Sequence, residues 1–213
     1  MSVKTKICGV STPEAVRAAL EGGAGYLGFV FFPKSPRNIG PDAARRLAEP
    51  VRNRARVVAL LVDPTDAQVD EVAQGLRPDL IQLHGAESPA RVREVAARSG
   101  AGIVKAVPVS EAGDLAPALD YEPVVEHLMF DTRPPKGSAT PGGTGHSFDW
   151  TLLSGRRFKR PWFLAGGLDP WNVREAVETS GAPMVDVSSG VERGPGLKDP
   201  ALITAFLDAA RRA

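Results

Sequence analysis

The sequence has few of the features that mark several broad classes of protein. It contains one cysteine, Cys8, so no disulfide can form within the chain and a cysteine-based zinc cluster is excluded. No apolar stretch approaches the ~18 residues that cross a bilayer, and the first ten residues lack the apolar core of a secretory signal. We therefore expect a cytoplasmic protein with no part in the membrane.

An excess of charge of either sign is also missing. The chain carries 26 basic and 25 acidic residues, so it lacks the positive field of a protein that coats nucleic acid. The three histidines, His84, His127 and His146, are too dispersed to form a metal-binding motif. We expect neither a nucleic-acid partner nor a metal ion, and any anion that binds must be held locally.

Short β-rich runs alternate with stretches of helical spacing along the whole chain, which predicts parallel strands joined by crossover helices. A capping hydroxyl precedes proline at Thr12-Pro13 and Ser88-Pro89, as at many helix starts. Helices are predicted at 13–21, 41–49, 65–74, 88–98, 110–119, 170–179 and 199–211, with a weak one at 149–154. Eight strands are predicted: Lys4–Ile7, Tyr26–Phe31, Arg56–Val62, Leu80–Leu83, Gly102–Val107, His127–Phe130, Trp162–Ala165 and Met184–Val187.

Eight alternating strands favour a closed α/β barrel, a (β/α)8 TIM barrel, over an open doubly wound sheet of about five to seven strands. No linker divides the chain, so residues 1–213 are predicted to form one domain. The connections 32–41 and 132–148 are unusually long and both follow strands. Because loops after barrel strands build the active site, both are candidate substrate lids, unless they are merely tolerated surface insertions.

A thiol and a carboxyl group are predicted to face each other across the barrel mouth. Alternation along the first strand places Lys6 and Cys8 toward the barrel axis and Ile7 outside. A neighbouring ammonium lowers the pKa of a thiol, which suits a base, although Cys8 can also be a small buried hydrophobe and Lys6 a structural charge partner. Asp131 ends the sixth strand as a proton donor or a capping group. Together they predict an internal proton shift.

Anion-binding groups are predicted after the last two strands. Gly166 and Gly167 follow the seventh strand, and Ser188-Ser189-Gly190 follows the eighth, where barrels commonly bind phosphate. Paired glycines can instead serve only a tight turn. Arg37 can present its guanidinium to a carboxylate or stay solvated. Gln82 and His84 are expected at the mouth, bound to a sugar hydroxyl or to each other.

Read together, the motifs resemble the phosphoribosylanthranilate isomerase family from one end of the chain to the other. The matching strings agree in order and spacing, which makes the resemblance specific. They are Lys6-Ile7-Cys8-Gly9, Gly28-Phe29-Val30-Phe31, Pro33-Lys34-Ser35-Pro36-Arg37, Gln82-Leu83-His84-Gly85, Asp131-Thr132, Gly142-Gly143-Thr144-Gly145, Phe148-Asp149-Trp150, Leu164-Ala165-Gly166-Gly167-Leu168, Pro170, Asn172-Val173 and Asp186-Val187-Ser188-Ser189-Gly190-Val191-Glu192.

The resemblance implies an Amadori rearrangement of a phosphorylated aminosugar, N-(5-phosphoribosyl)anthranilate, in tryptophan biosynthesis, with no metal or organic cofactor. The family's general base matches Cys8, its general acid Asp131 and its carboxylate-binding arginine Arg37. Phosphate would lie on the two predicted anion-binding segments, with Asp186 and Gln82 near the sugar hydroxyls. The oligomeric state is expected to be monomer or homodimer.

One stretch departs from the family pattern. Arg193-Gly194-Pro195-Gly196 brings an extra charge and glycine, which could alter the mobility of the loop over the phosphate.

Four other functions are weighed against this one. An isomerase that also accepts the related histidine-pathway aminosugar would use carboxylates at both catalytic positions, which Cys8 disfavours. Indole-3-glycerol phosphate synthase would need an amino-terminal extension before the first strand. A Schiff-base aldolase could use Lys105 as its nucleophile. A non-catalytic sugar-phosphate binding protein would bind ligand without turnover.

Overall fold

Eight parallel strands close into a barrel. The computed structural model describes residues 3–134, 145 and 147–213. The first strand pairs with both the second and the eighth, which closes the sheet and confirms the predicted (β/α)8 fold. The strands are β1 Lys4–Cys8, β2 Tyr26–Val30, β3 Arg56–Leu61, β4 Leu80–Leu83, β5 Gly102–Val109, β6 His127–Thr132, β7 Trp162–Leu164 and β8 Met184–Val187. Each predicted strand is present, with its ends within two residues of the prediction.

Helices cover the outside of the barrel. The predicted capping residues are in place, since Thr12 Oγ1 accepts from the N–H of Ala15 and Ser88 Oγ from that of Arg91. Each cap satisfies a backbone donor that would otherwise lack a partner. The helices are α1 Pro13–Glu21, α2 Pro41–Ala48, α3 Asp66–Gly75, α4 Pro89–Ser99, α5 Ala118–Tyr121, α6 Val173–Ser180 and α7 Pro200–Arg211.

Two predicted helices are wrong in kind or length. Instead of one helix at 110–119, the chain forms a 3₁₀ helix at Ala112–Leu115 and the four-residue α5. Pro117 separates them, because proline lacks the N–H that would continue the helical hydrogen bonds. The weak helix predicted at 149–154 is a 3₁₀ helix at Trp150–Leu153. Further 3₁₀ helices lie at Glu49–Val51, Glu122–Val124 and Ser189–Val191.

The core has two layers, as the alternation along the strands predicts. Ile7 belongs to the outer layer, where strand side chains pack against the helices. Lys6, its neighbour in β1, is fully buried on the opposite face of the strand. Apolar residues in the strands, or directly after β7 for Ala165, fill the barrel interior: Tyr26, Val58, Leu80, Val104, Ala106, Met129, Phe163, Ala165 and Met184. The predicted orientation of the first strand is therefore confirmed.

A hairpin that the sequence did not predict follows β8. Its antiparallel strands are β9 Glu192–Gly194 and β10 Leu197–Lys198, and they pair through Leu197 with Gly194 and Lys198 with Glu192. The hairpin leaves the carboxyl-terminal rim of the barrel, where the strand-to-helix loops meet. Most of the second long connection, including Gly142, Gly143 and Thr144, lies outside the described residues. No helix in the described part of the chain is long and apolar enough to span a bilayer.

Candidate active site

The thiol of Cys8 and the ammonium of Lys6 lie side by side at the mouth. Lys6 Nζ donates to Asp186 Oδ1 on the paired strand β8 over 2.8 Å, and both side chains are buried. Gly28 stands beside them on β2, where a Cβ would lie 3.1 Å from both Cys8 Sγ and Lys6 Nζ. A side chain at position 28 would crowd both groups. The predicted pairing of Cys8 with Lys6 is therefore confirmed.

The pKa of the thiol does not follow the sequence-based expectation. Burial raises the pKa of Cys8, because it penalises the charged thiolate, and the Lys6 ammonium only partly opposes this effect. For Lys6 itself, burial acts to lower the pKa, but the charges of Asp186 and Cys8 and the hydrogen bonds to both together outweigh it, and the net direction is upward. The expectation of a lowered thiol pKa was thus wrong. The rise in pKa favours the thiol over the thiolate, and only the thiolate can act as the base.

Asp131 reaches the same rim from β6 and is held on both oxygens. Its Oδ1 accepts from the N–H of Thr132 over 2.8 Å, and its Oδ2 lies 3.0 Å from His84 Nε2. Gln82 Nε2 lies 2.9 Å from His84 Nδ1, while Gln82 Oε1 is buried without a hydrogen-bond partner among the described residues. With the Gln82 amide as donor, the proton of a neutral His84 stands on Nε2 and points at Asp131. This chain fixes the orientation of the carboxyl group.

One small cavity gathers most of the predicted anion-binding residues. Gly166 and Gly167 line it with left-handed backbone, at φ +88° and +65°, which favours glycine. The full lining is Asp131, Ala165, Gly166, Gly167, Leu168, Asp186, Ser188 and Ser189. Gly190 serves packing instead, because a Cβ there would lie 1.9 Å from Leu168 O. The hydroxyl of Ser188 donates to Cys8 O, which ties the anion seat to the end of β1.

Asp131 also borders a second, larger cavity of about 490 Å³ on the side of β3 to β6. Such a volume suits a small organic molecule. Its lining mixes apolar and polar groups: Val62, Asp63, His84, Gly85, Ala86, Ala106, Pro108, Asp131, Arg133 and Pro134. A ligand with an anionic end in the small cavity therefore has room to extend past the Asp131 carboxyl group.

Arg37 makes a contact that the sequence did not reveal. Its Nε and Nη2 donate to Glu192 Oε1 and Oε2 over 2.7 and 2.9 Å, and its side chain is 10% exposed. The partners are 155 residues apart, so no local pattern could have indicated the pair. Glu192 stood at the end of a matching motif, which was the one available signal. Binding of a substrate carboxylate by Arg37 stays a prediction.

The ammonium of Lys105, the nucleophile of the aldolase hypothesis, is bound by other residues of the chain. Its Nζ lies 2.8 Å from both Glu87 Oε2 and Gly85 O, and the residue is 3% exposed. A nucleophilic lysine needs its nitrogen free to attack a carbonyl, whereas this nitrogen is engaged by a carboxylate and a backbone oxygen. The geometry gives Lys105 a structural role. Within residues 3–134, 145 and 147–213, no group of three or more His, Cys, Asp or Glu side chains is arranged to hold a metal ion.

Residues 5–209 match the family described as N-(5'phosphoribosyl)anthranilate (PRA) isomerase. The chain is 65% identical over 209 residues to the N-(5'-phosphoribosyl)anthranilate isomerase of Caulobacter vibrioides, which covers 98% of this chain and 95% of that protein. Two solved structures are also similar. The first shows mutually generated monomers of the dimeric phosphoribosylanthranilate isomerase of Thermotoga maritima. It gives a TM-score of 0.83 at 36% identity and covers 99% of this chain and 100% of that one.

The second is a phosphoribosylanthranilate isomerase in complex with reduced 1-(o-carboxyphenylamino)-1-deoxyribulose 5-phosphate. It gives a TM-score of 0.84 at 34% identity and covers 99% of this chain and 100% of that one. The likeness extends over essentially the whole chain in both sequence and fold. The chain therefore belongs to the N-(5'-phosphoribosyl)anthranilate isomerase family.

Proposed function

We propose that this protein converts N-(5-phosphoribosyl)anthranilate to 1-(2-carboxyphenylamino)-1-deoxyribulose 5-phosphate, an Amadori rearrangement in tryptophan biosynthesis. One observation carries the proposal: a buried thiol and an oriented carboxyl group share the barrel rim with a glycine-lined cavity. These groups are one base, one acid and one anion seat, which an aldose-ketose isomerisation of a sugar phosphate requires.

The phosphate binds in the small cavity, where the backbone N–H groups of the two loops can approach it closely. Gly166 and Gly167 allow that approach because they carry no side chain. Asp186 lines the same cavity, and we expect it to lie near the sugar hydroxyls together with Gln82. The sugar ring then stands against Asp131, and we expect the carboxylate of the aryl group to bind Arg37, which lies beside Gly9 at the end of β1.

Asp131 acts first, as the general acid. In its protonated form it donates to the ribose ring oxygen, the bond from C1 to that oxygen breaks, and the nitrogen lone pair forms the C1=N bond of a Schiff base. The contacts of Asp131 with Thr132 and His84 hold the carboxyl group in one orientation for this transfer. The Asp131 carboxylate that remains is stabilised by the same two contacts.

Cys8 acts second, as the general base. Its thiolate removes the proton from C2, and the electron pair of that bond forms C1=C2 while the C1=N pair returns to nitrogen. The resulting enolamine loses its hydroxyl proton and gains one at C1, which gives the C2 ketone. Because the aryl amine nitrogen accepts the electron pair, the residues of the chain and the substrate suffice for every step, and we expect no cofactor.

The test is the rate of loss of substrate fluorescence with freshly prepared N-(5-phosphoribosyl)anthranilate. Cys8→Ala and Asp131→Asn should each lower turnover by about 10²- to 10⁴-fold, the typical contribution of a positioned acid or base. Both variants should keep the circular dichroism spectrum of the wild type. Near-wild-type turnover in either variant would overturn the assignment. Phosphate-dependent ligand binding without turnover in the wild type would instead favour a sugar-phosphate binding protein.

Two wider assignments belong to the same proposal. A catalytic base that must stay a free thiol suits a reducing compartment, which favours the cytoplasm. The Thermotoga maritima relative is described as dimeric, and we expect a monomer or a homodimer here. Activity on the histidine-pathway aminosugar is the second candidate, and a cysteine rather than a carboxylate at position 8 argues against it.

A further inference from the structure

The contacts of Arg37 leave only one edge of its guanidinium for a substrate. Glu192 takes Nε and Nη2, while Nη1 makes no hydrogen bond to the residues that the structure describes. The aliphatic stem lies against Gly9, where a Cβ would come within 2.7 Å of Arg37 Cδ. Gly9 directly follows Cys8, so the stem passes beside the catalytic strand. The free edge is therefore held at a fixed place relative to the thiol.

Glu192 is itself fixed on both oxygens. Lys198 Nζ donates to its Oε1 over 2.6 Å, and the N–H of Gly196 donates to its Oε2 over 3.1 Å. With the two contacts from Arg37, each carboxylate oxygen accepts two hydrogen bonds. The Glu192 side chain is 4% exposed. A carboxylate with this many donors cannot rotate away from Arg37 without leaving buried N–H groups unpaired.

The hairpin supplies Glu192, Gly196 and Lys198. It also contains Arg193-Gly194-Pro195-Gly196, the stretch that departs from the family pattern. Gly196 has φ +78°, and a Cβ there would lie 2.4 Å from Pro36 O. The turn of the hairpin is thus pressed against the residue before Arg37. Glycine at position 196 allows both this approach and the hydrogen bond to Glu192.

The charges of the cluster do not cancel. Two buried cations, Arg37 and Lys198, share the single carboxylate of Glu192. Lys198 has no donor left, because its other contacts are with Ser188 O and Ser188 Oγ. One positive charge therefore remains, and Arg37 Nη1 is where it can meet an anion. Lys6, by contrast, is paired with Asp186.

We propose that Glu192 is the positioning residue for specificity: it aims the free edge of Arg37 at the ortho-carboxylate of the arylamine substrate. The inference rests on the proposed function. It assigns to the hairpin the choice of which aminosugar is accepted, while Cys8 and Asp131 perform the chemistry. A bidentate carboxylate is required for this task because it fixes the plane of the guanidinium, which a single contact does not.

The experiment compares two substrates in wild type and Glu192→Gln. One is N-(5-phosphoribosyl)anthranilate, and the other is the aniline adduct of ribose 5-phosphate, which lacks the carboxylate; products are measured by mass spectrometry. The wild type should prefer the first. In Glu192→Gln the amide N–H₂ opposes an Arg37 donor, so KM for the first should rise, and kcat/KM should fall roughly 10- to 100-fold. The rate with the aniline adduct should stay within about twofold.

Matched variants separate orientation from charge. Arg193→Gln removes a charge from the exposed part of the same hairpin and should leave the preference unchanged. Arg37→Lys keeps the charge but loses the fork, so it should lose the preference as Glu192→Gln does. Arg37→Lys also tests the proposal if Glu192→Gln fails to fold. If charge alone decided specificity, Glu192→Gln would bind the anthranilate adduct more tightly, because its cluster gains positive charge.

Three outcomes would overturn the proposal: tighter binding of the anthranilate adduct in Glu192→Gln, an equal loss with both substrates, or no preference in the wild type. A wild type that turns over neither adduct would reject the proposed function itself, which is a different result from loss of the preference.

Discussion

Replacing Gly166 by alanine tests whether the anion seat and the catalytic acid form one unit. Gly166 has φ +88°, and a Cβ there would lie 2.2 Å from Thr132 Oγ1, 2.6 Å from Thr132 N and 2.8 Å from Asp131 Oδ1. Such distances are not tolerated, so the loop or the end of β6 must shift. Gly181 is a matched control, because it has φ +70° at the end of α6 and a Cβ there would meet nothing within 4 Å.

The two substitutions share one energetic cost, and Gly166→Ala carries a second. Placing alanine in left-handed backbone costs roughly 1–2 kcal/mol in either position. At Gly166 the contacts add about 1–3 kcal/mol of overpacking unless they are relieved by movement. Restoring a normal contact from 2.2 Å needs a shift of about 1 Å. A misplacement of ~1 Å near reacting groups can lower the rate about 10²-fold.

Urea unfolding and steady-state kinetics together give the answer. Both variants should lose stability, but only Gly166→Ala should lose about 10²-fold in kcat/KM, while Gly181→Ala stays within about twofold of the wild type. Equal kinetic losses would mean that general destabilisation explains the effect. A fully active Gly166→Ala would refute the coupling of the glycine loop to Asp131.

Two further predictions concern pH. Because burial raises the pKa of Cys8, the ultraviolet absorbance of its thiolate, taken as wild type minus Cys8→Ala, should appear only above the range of an ordinary cysteine; a transition below neutral pH would contradict the burial argument. Burial also lowers the pKa of His127, which packs edge-on against Tyr26 and Phe163. The unfolded state then takes up the proton more readily, so this contribution to stability is complete above pH ~6.5 and is lost on acidification, by at most about 1.4 kcal/mol per pH unit. Urea unfolding should show a weaker pH dependence in His127→Phe, and an unchanged dependence would exclude His127 as the titrating group.

The barrel and the inward orientation of its first strand could be predicted because both depend on local pattern. Alternation along a strand fixes which side chains share a face, so Lys6 and Ile7 were placed correctly. The helix at 110–119 was predicted from its alanines and acidic residues, while Gly113 and Pro117 weakened that pattern. These two residues, which disfavour a helix, decided the outcome there because so short a helix gains little stability from packing.

The parts of the candidate site that could not be predicted depend on distance in space. No sequence pattern joins Arg37 to Glu192 or Glu87 to Lys105, since each pair meets only after the barrel closes. The direction in which the pKa of Cys8 shifts also could not be predicted from the sequence. Sequence shows that a lysine is near, but the outcome is a balance between that charge and desolvation, and only the structure gives the burial.

Gly28 has a consequence for any attempt to redesign this barrel. A glycine inside a central strand is normally a weak point, because it adds no contact to its layer. Here the missing side chain lets the thiol and the ammonium lie where a Cβ would come within 3.1 Å of each. Alanine at this position would therefore press on the catalytic base and on its charged neighbour at once. Position 28 should therefore be held as glycine in any library built on this barrel.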